Sequence, residues 1–69
     1  MDNAARNYNL LFYIEFKDGA ETQQVSFADH KGVTIPNVGD YFAYHRQRKI
    51  LSRTFDYDDG GLTVYFLCE

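Results

Sequence analysis

Residues 49–69 read KILSRTFDYDDGGLTVYFLCE, and their pattern decides the fold. Apolar and polar side chains alternate on both sides of Asp59-Gly60, a dipeptide suited to a two-residue hairpin loop. With that loop, Tyr57 faces Leu62, Phe55 faces Val64, Arg53 faces Phe66 and Leu51 faces Cys68. Cross-strand partners share one face of a sheet, so these residues make an apolar inner face with one charged member, Arg53. Centring the loop on Gly60-Gly61 instead changes the partners but leaves both faces intact.

The same reading extends towards the N-terminus. YNLLFYIEFK (8–17) alternates as a strand, Asp18-Gly19 is a turn signal, and AETQQVSFAD (20–29) returns. That hairpin sets Leu10 against Phe27 and Phe12 against Val25, with Ile14 and Phe16 on the same side. HKGVTIPNVGD (30–40) carries Pro36 and two glycines and reads as a loop. YFAYHR (41–46) is a third strand. If Gln47-Arg48 centres the next turn, Phe42 and Tyr44 join the inner face, although this turn lacks Gly or Asn. No segment holds a helical stripe. The expectation is an all-β chain: a single small five-stranded antiparallel SH3-like barrel or a strongly curled meander, with an OB-like barrel as the alternative topology. Closure or curling of the sheet limits exposed edges.

At 69 residues the chain is one small domain, expected over 8–69 behind a flexible, polar stretch 1–7. Six Phe and six Tyr supply a dense aromatic core for so short a chain. One cysteine, Cys68, permits no internal disulfide and suits a reducing compartment, so a cytoplasmic location is expected. No stretch approaches a membrane span, and no signal-peptide pattern opens the chain.

The net charge is −3, but the charges are laid out in poles. Arg46, Arg48 and Lys49 lie at one end of the fourth strand and Asp56, Asp58 and Asp59 at the other, about 35 Å apart in an extended chain. The basic cluster reads as a solvated hairpin tip, with contact to an acidic protein or to phosphate as the functional alternatives. A nucleic-acid site ordinarily has a wider basic field.

Little points to catalysis, a cofactor or a metal. DYDDGG (56–61) fails the calcium-loop spacing, because its third acid and its Gly fall one position early and Leu67 stands where Glu belongs. Cys68 reads as a small buried apolar residue, and neither His30 nor His45 is placed by the sequence to activate it. Arg53 reads as a packed stem whose guanidinium reaches the rim or a carboxylate. No enzyme activity is expected.

The outer face is more informative. Under the registers above, Tyr41, Thr54 and Tyr65 align across three strands, with Leu67 and Ile50 in the neighbouring rows and Tyr13 on the first hairpin. A cluster of Tyr41, Tyr65, Leu67, Ile50 and Tyr13 is more apolar than a solvated sheet face, and such patches mark interfaces.

IPNVGDYFAY (35–44) followed by RKILSRTFDYDDGGLTVYFLCE (48–69) resembles the second half of small SH3-like barrels. In those proteins a Val-Gly-Asp leads into a strand, a short hairpin follows, and a Gly turn precedes the last strand. Peptide-binding SH3 modules also carry an Ala-Leu-Tyr-Asp-Tyr strip and paired Trp, and this chain has neither. It is similar, too, to short stand-alone proteins of bacteria and their phages. The outer face points to a non-enzymatic protein-binding module or a homodimer closed through that face, and the likeness to phage proteins implies a small inhibitor or adaptor. The alternative is a nucleic-acid-binding small barrel that uses the basic tip.

Overall fold

The computed structural model describes residues 10–29, 31–58 and 60–69. The stretch 1–7 expected to be flexible, and also His30 and Asp59, lie outside the described residues. Five strands form one sheet: β1 (Leu10–Phe16), β2 (Gln23–Phe27), β3 (Tyr41–Tyr44), β4 (Arg46–Asp58) and β5 (Gly61–Cys68). Their order is β2-β1-β5-β4-β3, and no helix is present among the described residues. The sheet curls strongly into a half-barrel.

The expected all-antiparallel sheet is corrected in one respect. β1 and β5 pair in parallel, from Leu10↔Leu62 to Phe16↔Cys68, so the sheet is mixed. The reason lies in their composition. LLFYIEF and LTVYFLC carry apolar or aromatic side chains on both faces, and strands of that kind are stable where neighbours flank both edges. β2 buries none of its residues fully and serves as an edge.

The first hairpin keeps its expected register, Leu10↔Phe27 through Ile14↔Gln23. It opens earlier than expected, however. Pairing stops at Gln23, and the turn closes locally, with Gly19 N–H donating to the Phe16 carbonyl and Ala20 N–H to Asp18 Oδ1. The last hairpin also keeps its register from Arg53↔Phe66 to Asp58↔Gly61.

β4 departs from the expected alternation at Leu51. Ile50 pairs with Cys68 and Ser52 with Leu67, so Leu51 is an extra residue, a β-bulge. Every side chain of β4 before the bulge is therefore on the face opposite to the expected one. The β3–β4 turn is also displaced. It lies at His45, at φ 66°, and gives Phe42↔Arg48 and Tyr44↔Arg46. His adopts the left-handed region more readily than most non-glycine residues, and no Gly or Asn in the sequence signals it.

The core lies on the concave face in rows across the strands. Leu10, Phe12, Ile14 and Phe16 of β1 and Val64, Phe66 and Cys68 of β5 are buried, and Ile50 completes the set from β4. Phe66 takes edge-on contacts from Phe12 at 5.2 Å and Phe42 at 5.0 Å. The loop before β3 crosses this face and packs Val33 and Ile35 on it. It is anchored to β4 where Gly39 N–H donates to the Ile50 carbonyl and Ile50 N–H to the Asp40 carbonyl.

Candidate functional site

The basic cluster is not one surface. Arg48 points into the concave face and is 4% exposed. Its Nε–H donates to the Tyr44 carbonyl at 2.8 Å, and Nη1 donates to Asp18 Oδ2 at 2.9 Å and to the Glu69 carbonyl at 3.3 Å. The guanidinium carbon lies 4.6 Å from the Phe16 ring centre, and the Phe16 and Tyr44 rings stack 5.2 Å apart. Arg48 thus ties β3, the first turn and the end of β5 to β4. The expected solvated tip is corrected here, because the His45 turn and the Leu51 bulge place Arg48 inside. Arg46 and Lys49 remain exposed, and Arg46 is drawn to Asp18 at 3.5 Å. The Asp18 carboxyl is held below its ordinary pKa, first by the Ala20 N–H and then by the Arg48 hydrogen bond.

Arg53 sits on the inner face as expected. Its Nη1 donates to the Pro36 carbonyl at 2.7 Å, and its guanidinium lies 5.0 Å from the Phe55 ring centre. Cys68 is fully buried, and burial pushes its thiol pKa up. His45 is exposed. Among the described residues no three His, Cys, Asp or Glu side chains come together as a metal site.

The outer patch is rearranged. Ile50 is fully buried in the core and leaves the patch, because the bulge turns it inward. Tyr41 is 55% exposed on β3 but pairs with Lys49 rather than Thr54, about 16 Å along β4 from the Tyr65 row. Tyr13 and Tyr65 come together instead. The parallel β1–β5 pairing makes them direct neighbours, with ring centres 5.5 Å apart. Thr54 lies on the far side of Tyr65, and Leu67 stands between Glu15 and Ser52 in the next row. Leu11 and Leu67, both half-buried, bracket the tyrosine pair along two neighbouring interior strands. Leu11, two residues before Tyr13 on the same strand face, was missing from the expected patch.

A second feature escaped the sequence reading altogether. Phe55 and Tyr57 occupy the inner face as expected, yet they are 37% and 74% exposed. β3 spans four residues against thirteen in β4, so among the described residues the distal part of β4 has no strand beyond it. An apolar cleft of about 470 Å³ opens there, lined by Leu10, Val33, Ile35, Tyr57, Leu62 and the Gly60-Gly61 backbone.

No family model, curated protein or solved structure matches this chain.

Proposed function

We propose that this protein is a non-enzymatic protein-binding module whose outer sheet face, centred on Tyr13 and Tyr65, docks a folded partner. The observation that carries this reading is the tyrosine pair itself, two adjacent rings 5.5 Å apart over two neighbouring interior strands of the sheet. Central strands are the most rigid part of a small sheet, so the rings are held with little entropy left to lose on docking. Tyrosine combines a large apolar face with a hydroxyl for the partner's polar groups, and it is enriched at interfaces for that reason. Leu11 and Leu67 extend the apolar area, and Glu15, Ser52 and Thr54 supply a polar rim. A small inhibitor or adaptor would use such a face.

Kinship with SH3-like barrels belongs to the same proposal. Its support is the Val38-Gly39-Asp40 turn, where Gly39 at φ 98° leads into β3. The parallel β1–β5 pairing sets the sheet apart from a purely antiparallel barrel. The nucleic-acid reading loses ground because Arg48 is spent internally, which leaves Arg46 and Lys49 as the exposed cations of the cluster.

The test is a photo-crosslinking residue placed at Tyr65 and, separately, at exposed Thr34 on the opposite side, in cells of the source organism. The expected result is one discrete protein adduct from position 65, absent from position 34 and lost when Tyr13→Ser is added. Equal, diffuse labelling from both positions would overturn the proposal.

A further inference from the structure

We infer that β3 is a dimerisation edge, on which a second copy of this chain adds its own β3 in the antiparallel direction. The inference does not rest on the outer tyrosine face. Among the described residues the sheet has two edge strands, β2 and β3. β2 reads QQVSF and is mostly polar, whereas β3 reads YFAY and carries no charge and no proline. Edges are ordinarily guarded by charge, proline or a bulge within the strand, and β3 has only its shortness. Among the described residues it pairs with β4 alone. No residue outside the description adjoins β3 in the chain. β1 begins in the row of Leu62 and Tyr57, about 26 Å along β4 from Lys49, the partner of Tyr41.

The backbone sets the register. Asp40 N–H donates to the Asn37 carbonyl across a tight turn that has Gly39 at φ 98°. Gly39 N–H donates to the Ile50 carbonyl, and Ile50 N–H donates to the Asp40 carbonyl. Gly39 and Asp40 thus oppose Ile50 as a bulge of the kind that begins with a left-handed glycine. Asp40 turns its carbonyl towards β4. Bonding direction alternates along an antiparallel strand, so Phe42 and Tyr44 also bond to β4, and Tyr41 and Ala43 turn their N–H and C=O groups away from it. A two-fold axis through Phe42 sets Tyr41 of each copy opposite Ala43 of the other. That register satisfies the outward groups of β3 with about four backbone hydrogen bonds. Gly39 and His45, both at positive φ, bound the strand and confine pairing to it. A two-fold contact closes on itself and gives a dimer rather than a fibre.

The side chains fit the same register. Tyr41 is 55% exposed and Ala43 is exposed, so each large ring lies across a small residue of the other copy. On the concave side the two Phe42 rings meet at the axis, each already packed edge-on against Phe66. Asp40 and the partner's Arg46 fall on diagonal positions, within reach of a long side chain. Both are exposed and only partly engaged in their own chain. Asp40 Oδ2 accepts from Asn37 N–H, and Arg46 reaches Asp18 and the Gln47 carbonyl, each at 3.5 Å. The contact therefore joins opposite charges twice, once on each side of the axis. Facing residues share a face, so both copies present their outer faces on one side of a continuous sheet. A bivalent tyrosine surface follows if the docking role proposed above holds; the dimer itself does not depend on that role.

The test is sedimentation equilibrium of the full chain over a concentration series at low salt, with amide hydrogen exchange read at both ends of the series. The expected result is a monomer–dimer equilibrium in which the Tyr41 and Ala43 amides exchange more slowly as concentration rises, while the Phe42 amide, which faces β4, is unchanged. Arg46→Glu alone and Asp40→Arg alone each set like charges across the axis and should weaken the dimer about tenfold. Mixing the two variants in equal amounts should restore it, since every cross-axis pair is then of opposite sign. Local damage to either chain produces no such rescue. Tyr13→Ser with Tyr65→Ser should leave dimerisation unchanged, which separates this edge from the outer face. A monomer at every concentration would overturn the inference. So would a dimer that leaves the Tyr41 and Ala43 amides unprotected, or charge variants that fail to rescue each other. Loss of the dimer with the Tyr13 and Tyr65 substitutions would overturn it too, by placing self-association on the outer face.

Discussion

Arg48 Nη1 stands 2.9 Å from Asp18 Oδ2, with the Arg48 side chain 5% exposed and the Asp18 side chain 42% exposed. The pair joins a buried cation to a partly hydrated anion, and two backbone carbonyls share the cation. Removing Arg48 strips those carbonyls of a donor and the Phe16 and Tyr44 rings of their packing. Arg48→Ala should therefore cost about 2–4 kcal/mol in urea unfolding. Arg48→Lys should recover little, because a single ammonium cannot satisfy the same fork of acceptors. An alanine variant as stable as the parent would contradict the clamp.

Acid should act on the same contact. The folded-state pKa of Asp18 lies below the ordinary value of 3.8, so its stabilisation is complete above that value and fades as pH falls through the lower, folded-state value. Asp18→Asn should lower the unfolding midpoint at neutral pH, and the gap to the parent should shrink as the solution is acidified below the carboxylate range. A gap that is constant with pH would assign the loss to something other than the carboxylate charge.

The bulge at Leu51 gives adjacent residues opposite fates. Ile50 is fully buried and Leu51 only half-buried. Ile50→Ala should cost about 2–4 kcal/mol and Leu51→Ala markedly less. The uninterrupted alternation of the sequence gives the reverse ranking, so the two unfolding curves decide between the registers.

Cys68 should behave as a sealed thiol. It is fully buried beside Ile50 and its pKa is raised by burial, so thiolate is scarce as well as inaccessible. A disulfide exchange reagent should react at a rate that tracks unfolding, with prompt reaction only in denaturant. Prompt native-state labelling at neutral pH would place the end of β5 outside the core.

The parts of this fold legible in the sequence were those encoded locally. Asp18-Gly19 and Asp59-Gly60 marked two hairpins, and period-two alternation then gave the facing pairs Phe12↔Val25 and Phe55↔Val64 in the register observed. The β3–β4 turn was misplaced because His45 reaches a positive φ without a turn residue to announce it. The Leu51 bulge was invisible for a related reason, since one unpaired residue leaves an alternating pattern superficially unbroken. Together they moved Ile50 and Arg48 inward and separated Tyr41 from Tyr65. The β1–β5 pairing is a long-range choice that no local motif specifies, yet a clue existed. Leu11 and Tyr13 on one strand, and Tyr65 and Leu67 on another, put apolar side chains on the nominally wet face of both. Two such strands gain most by lying side by side. Exposure of Phe55 and Tyr57 was not legible, since it follows from how little of β4 the short β3 covers.

The candidate interface depends on one relationship above all, the parallel alignment that sets Tyr13 against Tyr65. Nuclear Overhauser spectroscopy on the labelled protein tests it directly. With ring centres 5.5 Å apart, ring-to-ring cross-peaks between Tyr13 and Tyr65 are expected, along with parallel-ladder contacts running from Leu10–Leu62 to Phe16–Cys68. Cross-peaks joining Tyr41 to Tyr65, with antiparallel contacts between β1 and β5, would contradict both the sheet order and the site built on it.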